Sequence, residues 1–180
     1  MKFADADAVF ARDILVAIAR AIAVNRSLEA AKASNFGNFW RVIQGGLYDT
    51  AIVDWCVLFG SDNPQQQKLH WKNIFEANAF RTALLARLSI SLDEWVAYRD
   101  MLKIYRDENA AHREINPSPH SYPNMDIALE ACFVYSEHLC DIINRTRPGY
   151  CKEDLRNEFD LCSVKFEKVA RVAVEAIADI

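Results

Sequence analysis

The sequence is poor in the residues that interrupt helices. It holds five glycines and five prolines in 180 residues, and three of the prolines fall within positions 117–123. No stretch alternates apolar and polar residues as a half-buried strand does, and no internal repeat or low-complexity segment occurs. Hydrophobic residues make up 52% and charged residues 26%, which is typical of a folded chain. We expect an all-helical protein with one domain over residues 1–180.

The cysteines and histidines lack the spacing of metal or disulfide motifs. The cysteine count of five is odd and no C-x-x-C pair occurs, which argues against a disulfide framework or a zinc knuckle. No histidine follows a glutamate by three positions, so the Glu-x-x-His pattern of di-iron bundles is absent. Neither a glycine-rich phosphate loop nor a G-x-S-x-G turn occurs. We expect neither a metal nor a cofactor. We expect all five cysteines to be reduced: Cys56, Cys132, Cys140, Cys151 and Cys162.

Long hydrophobic runs and excess positive charge are also lacking. The longest apolar run near the start, Ile14 to Ala19, is bounded by Asp13 and Arg20. It is too short for a membrane span and too closely flanked by charge for a signal peptide. We therefore expect a cytoplasmic protein without a membrane segment.

The formal net charge of −4 repels nucleic-acid phosphates at long range, so RNA binding would need a local basic face. No DNA-binding motif is found.

Apolar residues recur instead at steps of three and four, the period of an amphipathic helix. This spacing predicts a bundle of about five to six helices. Gly45 and Gly46 interrupt one of them and predict a close helix crossing in preference to a kink. The last repeat holds its pattern for three heptads, which predicts packing along a neighbouring helix or a second subunit. The expected ranges are about 7–33, 38–59, 74–88, 91 to about 112, 125–146 and 155–176.

The helix expected after position 91 carries unusual polar chemistry at its end. Ser91 precedes Glu94 by three residues, the spacing of a reciprocal N-terminal cap. The core-like face formed by Trp95, Tyr98, Leu102 and Tyr105 then continues into Asn109 and His112, where the repeat calls for apolar residues. Arg106 would lie about 120° from His112 around a regular α-helix.

An arginine, a polar residue directly after it and a histidine after a short gap resemble the R-x4-6-H motif of the HEPN superfamily. Here the motif reads Arg106, Asp107 and His112. The segments 54–56, 59–60 and 70–71 are also similar to a recurring stretch of a bacterial defence-related branch. The resemblance implies a helical bundle that forms a two-fold dimer, with motifs from both protomers in one cleft. Many members are metal-independent endoribonucleases of toxin-antitoxin and abortive-infection systems.

The sequence departs from the family pattern at one position, and the resemblance implies roles for several other residues. Glu114 stands where some members carry a modified tyrosine, which argues against regulation by that route. Arg106 and His112 are the expected catalytic residues, and Asp107 and Asn109 are expected to support them. RNA and a second copy of the chain are the expected partners, with an antitoxin or regulatory protein as a third. The expected RNA-binding residues are Arg99, Lys103, Arg113 and Tyr122.

Each of these residues also has a structural interpretation. His112 could be a surface histidine favoured by the dipole of a helix end, and Asn109 a polar seam residue that sets register. Tyr122 could close over the core instead of stacking on a base. The whole chain could accordingly be a non-catalytic module that binds a protein or nucleotide in a defence or regulatory system, or an RNA binder that does not cut.

Overall fold

The computed structural model describes residues 5–61, 63, 67–111 and 122–178, and within these ranges all regular structure is helical. The all-helical class expected from the sequence is therefore confirmed. A 3-10 turn, Ala33–Phe36, follows the first helix, and a π-helical segment, Arg106–Ala111, follows the fifth. The α-helices of the described ranges are α1 Asp5–Ala30, α2 Asn38–Phe59, α3 Trp71–Ile74, α4 Ala77–Leu88, α5 Leu92–Tyr105, α6 Asp126–Thr146 and α7 Leu155–Ala178.

Two predicted boundaries are wrong for local reasons. The first helix ends at Ala30, before Ala33, because Lys32 adopts a left-handed backbone conformation with φ 55°. The helix expected over residues 74–88 begins at Ala77, and the short helix α3 before it was not predicted, so the described residues form seven α-helices where five to six were expected. Phe75 ends α3 with an extended backbone, and Glu76 caps α4, because its carboxylate accepts from the N–H groups of Asn78 and Ala79.

The core is built around α6, whose side chains Cys132, Tyr135 and Leu139 have no exposed surface. Helices α1 and α2 pack together, and α1 also contacts α6 and α7. The rings of Trp55 and Phe59 on α2 stack at 4.9 Å, and Trp95 on α5 meets both rings edge-on. This aromatic contact fixes α5 beside α2 and so places the end of α5 where the polar motif begins.

Helix α7 packs on α1, a neighbour within the same chain, as the sequence allowed. Its buried positions differ from those predicted by the heptad pattern: Val169 is 64% exposed, while Ala170 and Val174 are buried. The drift follows from the helical period, since a straight helix of 3.6 residues per turn rotates away from a strict seven-residue repeat.

Candidate functional site

Helix α5 begins at the predicted cap. The backbone N–H of Glu94 donates to Ser91 Oγ at 3.2 Å, and the Ser91 N–H donates to Glu94 Oε2 at 2.7 Å. This reciprocal pair satisfies two backbone donors that an uncapped helix start would leave without partners. The prediction for the start of the helix is confirmed, and the cap sets the register of the polar residues at the other end.

At Arg106 the helix changes from α to π geometry, and the π segment runs to Ala111. A π-helix bonds residue i to residue i+5, so it holds more residues per turn than the regular helix assumed for the sequence. Residues 106–111 therefore depart from the regular α-helix on which the expected angle of 120° was based. His112 and Arg113 lie outside the described residues, so the angle itself stays a prediction. Short π segments within helices occur frequently at functional sites.

Arg106 is held from two sides. Its Nε and Nη2 atoms both lie 2.7 Å from Asp107 Oδ1, and its side chain is 27% exposed. On the inner side it interacts with Cys56 of α2. Burial raises the pKa of that thiol to about 11, and Arg106 opposes the rise. The arginine is thus anchored between a buried helix and an exposed carboxylate, with part of its guanidinium open to solvent.

Asn109 lies in the middle of the π segment. Its Nδ2 atom is buried and makes no hydrogen bond within the described part of the chain. An orphaned buried donor costs about 1–3 kcal/mol, so its presence calls for an acceptor. The expected supporting role, in which Asn109 holds either a phosphate oxygen or His112, would supply one.

Beside the π segment lies a tyrosine cluster, formed by Tyr48, Tyr105 and Tyr122. Tyr122 stacks on Tyr48 at 4.7 Å between ring centroids and lies 5.8 Å from Tyr105. The Tyr105 hydroxyl donates to Asp49 Oδ1 at 2.9 Å, and burial first and Asp49 second raise the pKa of Tyr105. Tyr105 therefore remains protonated at neutral pH and serves as a hydrogen-bond donor.

The tyrosine cluster also explains one of the two adjacent glycines. A Cβ atom on Gly45 would lie 2.6 Å from the Tyr122 hydroxyl, whereas one on Gly46 would meet nothing within 4 Å. Helix α2 continues through both glycines. The group that approaches Gly45 closely is thus the side chain of Tyr122 and not a second helix. The predicted helix crossing is wrong at this point. Tyr122 remains 49% exposed, so it both covers α2 and presents aromatic surface to solvent.

The expected basic face is weaker than its residues suggest. Arg99 Nη2 lies 2.9 Å from Asp100 Oδ1, and Lys103 Nζ lies 4.0 Å from the same oxygen. Both basic side chains are less than one fifth exposed. Asp100 therefore compensates part of the positive charge on this face, and phosphate binding would depend more heavily on Arg106.

Sequence reasoning missed Asp49 and Tyr48 as neighbours of the motif. They belong to α2, more than fifty positions away in the chain, and the aromatic contacts described above bring them to the end of α5. Tyr48 and Asp49 are adjacent in the sequence and follow Gly45 and Gly46 closely, a pattern that matches no recognisable motif. The only available signal was Gly45 itself, which marks a close approach without naming its partner.

The segments 54–56, 59–60 and 70–71 have structural roles in this fold. Trp55 Nε1 donates to the Ala128 carbonyl at 3.3 Å. His70 is fully buried and accepts from the Lys72 N–H through Nδ1 at 3.2 Å, capping α3. Because Nδ1 accepts, the proton of the neutral ring lies on Nε2. Burial lowers the pKa of His70 to about 4, although the Phe59 backbone opposes this shift.

The buried His70 predicts a loss of stability in mild acid. Its pKa of about 4 in the folded chain lies below the ordinary value of 6.5, so the unfolded chain binds a proton first as pH falls. We expect the free energy of unfolding to drop by about 2 kcal/mol between about pH 7.5 and about pH 5 from this residue alone. Urea titrations of the wild type and of His70→Asn, which keeps a capping oxygen, measure the difference. Equal pH slopes for the two proteins would contradict the assignment.

Among the described residues, no group of three or more histidine, cysteine, aspartate or glutamate side chains is arranged to hold a metal ion. Within the same ranges, α2 alone is long and apolar enough to cross a membrane, a test that buried helices of soluble proteins also pass.

The chain matches no protein-family model, no curated protein and no solved structure. The resemblance to the HEPN superfamily therefore stays a prediction that rests on the sequence motif beginning at Arg106.

Proposed function

We propose that this protein is a metal-independent endoribonuclease of a defence or toxin-antitoxin type system, acting in the cytoplasm as a HEPN-like homodimer. The observation that carries the proposal is the π-helical segment at Arg106. The change of helix geometry coincides with the first residue of the motif. The segment contains an anchored arginine and a buried amide donor that has no partner among the described residues.

In this proposal His112 removes the proton from a ribose 2′-hydroxyl. Histidine suits the task because its ordinary pKa lies close to neutral pH. The 2′-oxygen attacks the adjacent phosphorus while the bond to the 5′-oxygen breaks. The products are a 2′,3′-cyclic phosphate and a 5′-hydroxyl. His112 of a second protomer protonates the leaving oxygen, so one cleft needs two copies of the chain.

Arg106 stabilises the negative charge that develops on the phosphoryl oxygens. Its forked donors and fixed charge suit a planar pair of oxygens better than the point charge of lysine. Asp107 orients the guanidinium in the free protein, as the two contacts of 2.7 Å support. Asn109 directs its buried amide toward phosphate or His112, and the exposed ring of Tyr122 stacks on a base.

We expect His112→Ala to lower the rate of RNA cleavage by at least about 100-fold, because it removes the proton-transfer group. Purified protein is incubated with end-labelled structured RNAs in excess chelator, and the fragments are resolved on gels. His120→Ala, which replaces another histidine eight positions away in the sequence, is the matched control and should cut at the wild-type rate.

Circular dichroism and light scattering establish that each variant is folded and report its oligomeric state. Unchanged cleavage by folded His112→Ala would contradict the proposed mechanism. A folded wild-type dimer that binds these RNAs without cutting them would favour the RNA-binding alternative. A dimer that neither binds nor cuts them would favour the module that recognises a protein or nucleotide.

A further inference from the structure

A second cluster of reactive groups lies where α6 meets the segment before α7. The thiols of Cys140 and Cys151 are both partly exposed, interact electrostatically and line the same cavity. The first belongs to α6 and the second to the turn that follows it. The sequence showed only five separate cysteines. Two neighbouring thiols can react with each other, which separate cysteines cannot do.

Asn144 fixes the second cysteine opposite the first. It lies one helical turn after Cys140, and its Oδ1 atom accepts from the Cys151 N–H at 3.1 Å. Its Nδ2 atom donates to the Cys151 carbonyl at 3.4 Å. One side chain therefore binds both backbone groups of Cys151, so the approach of the two thiols is built into the fold.

Arg12 supplies positive charge beside the pair. It is 5% exposed, it forms an ion pair with Glu158, and it interacts electrostatically with both Cys140 and Cys151. Its Nε and Nη1 atoms make no hydrogen bond within the described ranges. A buried guanidinium of this kind favours the thiolate form of a neighbouring cysteine, which is the reactive form.

Burial and the neighbouring thiol act against Arg12 at Cys151. Burial first, and then the neighbouring Cys140, raise the pKa of Cys151 to about 12, although Arg12 opposes the rise. One of the two thiols must lose its proton before it can react, and Arg12 is the positive charge beside both that favours this loss.

Both cysteines open into one cavity of about 240 Å³. Its wall contains four carboxylates and a single lysine, so it disfavours anionic reagents such as glutathione disulfide and admits small neutral ones. Ser136, one turn before Cys140, also lines it, and its buried Oγ atom has no hydrogen-bond partner among the described residues. The charged lining residues are Glu137, Asp141, Lys152, Glu153 and Asp154.

We propose that Cys140 and Cys151 are an oxidative modification site, which hydrogen peroxide or another small neutral hydroperoxide converts to an intramolecular disulfide. The thiolate of one of the two cysteines attacks one peroxide oxygen, the O–O bond breaks, and the leaving hydroxide takes a proton to become water. The other thiol then attacks the resulting sulfenic acid and releases a second water. Two thiols lose two hydrogen atoms, and one peroxide is reduced to two waters.

The compartment expected for the protein fits a reversible modification. Disulfides in a reducing cytoplasm are usually transient and serve as redox signals. This bond would tie α6 to the turn before α7, both of which are already in contact in the reduced protein. The inference is independent of the proposed RNA chemistry, because none of its residues belongs to the motif at Arg106.

The test is peptide mapping of the folded full-length protein after treatment with a few equivalents of hydrogen peroxide. Trypsin separates Cys140, in residues 114–145, from Cys151, in residues 146–152, so the bond appears as a linked pair of peptides. Fragmentation distinguishes Cys140 from Cys132 in the longer peptide. We expect this link as the first product and a slower reaction with glutathione disulfide. If both thiols remain alkylatable, or link to other cysteines, the proposal is overturned.

Substitutions distinguish a disulfide between Cys140 and Cys151 from oxidation of cysteines in general. Cys140→Ser and Cys151→Ser should abolish the linked peptides, while Cys162→Ser, a control for a partly exposed cysteine elsewhere, should leave them unchanged. Asn144→Ala should form the link about tenfold more slowly because two hydrogen bonds that position Cys151 are lost. Asn144→Asp, which keeps the acceptor, should recover part of the rate. Equal rates for wild type and folded Asn144→Ala would contradict the positioning role.

Discussion

Replacing Trp55 with alanine is expected to lower the free energy of unfolding by about 4 kcal/mol. The side chain is fully buried, stacks on Phe59, and meets Trp95 and Tyr98 edge-on. The truncation would remove those contacts, leave a cavity between α2 and α5, and leave the Ala128 carbonyl without its indole donor. Urea denaturation followed by circular dichroism gives the change directly.

Phe39→Ala is the matched control, because Phe39 is on the same helix but 63% exposed. We expect it to change the free energy of unfolding by no more than about 0.5 kcal/mol. Trp55→Phe should fall between the two, since it keeps an aromatic ring but loses the indole N–H. If Trp55→Ala were as mild as Phe39→Ala, the aromatic contact that places α5 beside α2 would be wrong.

Arg106→Ala is expected to lower kcat/KM for RNA cleavage by about 100- to 1,000-fold, because it removes the charge that faces the phosphoryl oxygens in the transition state. Arg106→Lys should recover only a small part of this loss, since lysine keeps the charge but not the forked geometry. Single-turnover cleavage at saturating protein separates the chemical step from binding.

The control for Arg106 is Arg87→Ala. Arg87 is a half-exposed arginine on α4 that also pairs with one carboxylate, Glu137, at 2.5 Å. It should leave cleavage unchanged, and its stability should differ little from that of the wild type because exposed ion pairs contribute little. An equal loss of activity in both variants would point to a general effect of surface charge and count against a specific role for Arg106.

Much of the fold was predictable from local sequence signals. The bounds of α2, the end of α6 at Thr146 and the cap at Ser91 were all read correctly, because glycine, proline and capping residues act on their own neighbours. The break at Glu76 was missed because an acidic residue inside an apolar repeat is normally a surface position. Only its two hydrogen bonds to the start of α4 show that it is a cap.

The details of both sites depend on contacts between distant residues and were not predictable. The π geometry at Arg106 arises where α5 meets α2, and no residue within the segment signals it. The contact of Tyr105 with Asp49 spans 56 positions, and that of Arg12 with Glu158 spans 146. The sequence shows which residues carry reactive groups, whereas the packing of α1, α2 and α6 determines which of them meet.

The central claim is that the motif at Arg106 cleaves RNA through the ribose 2′-hydroxyl, and the chemistry of the product ends tests it most directly. Fragments produced by the wild-type protein in excess chelator are analysed by mass spectrometry. The account predicts a 2′,3′-cyclic phosphate on one fragment and a 5′-hydroxyl on the other, both absent with His112→Ala. Fragments that carry a 5′-phosphate and a 3′-hydroxyl, or no cleavage by the folded dimer, would contradict it.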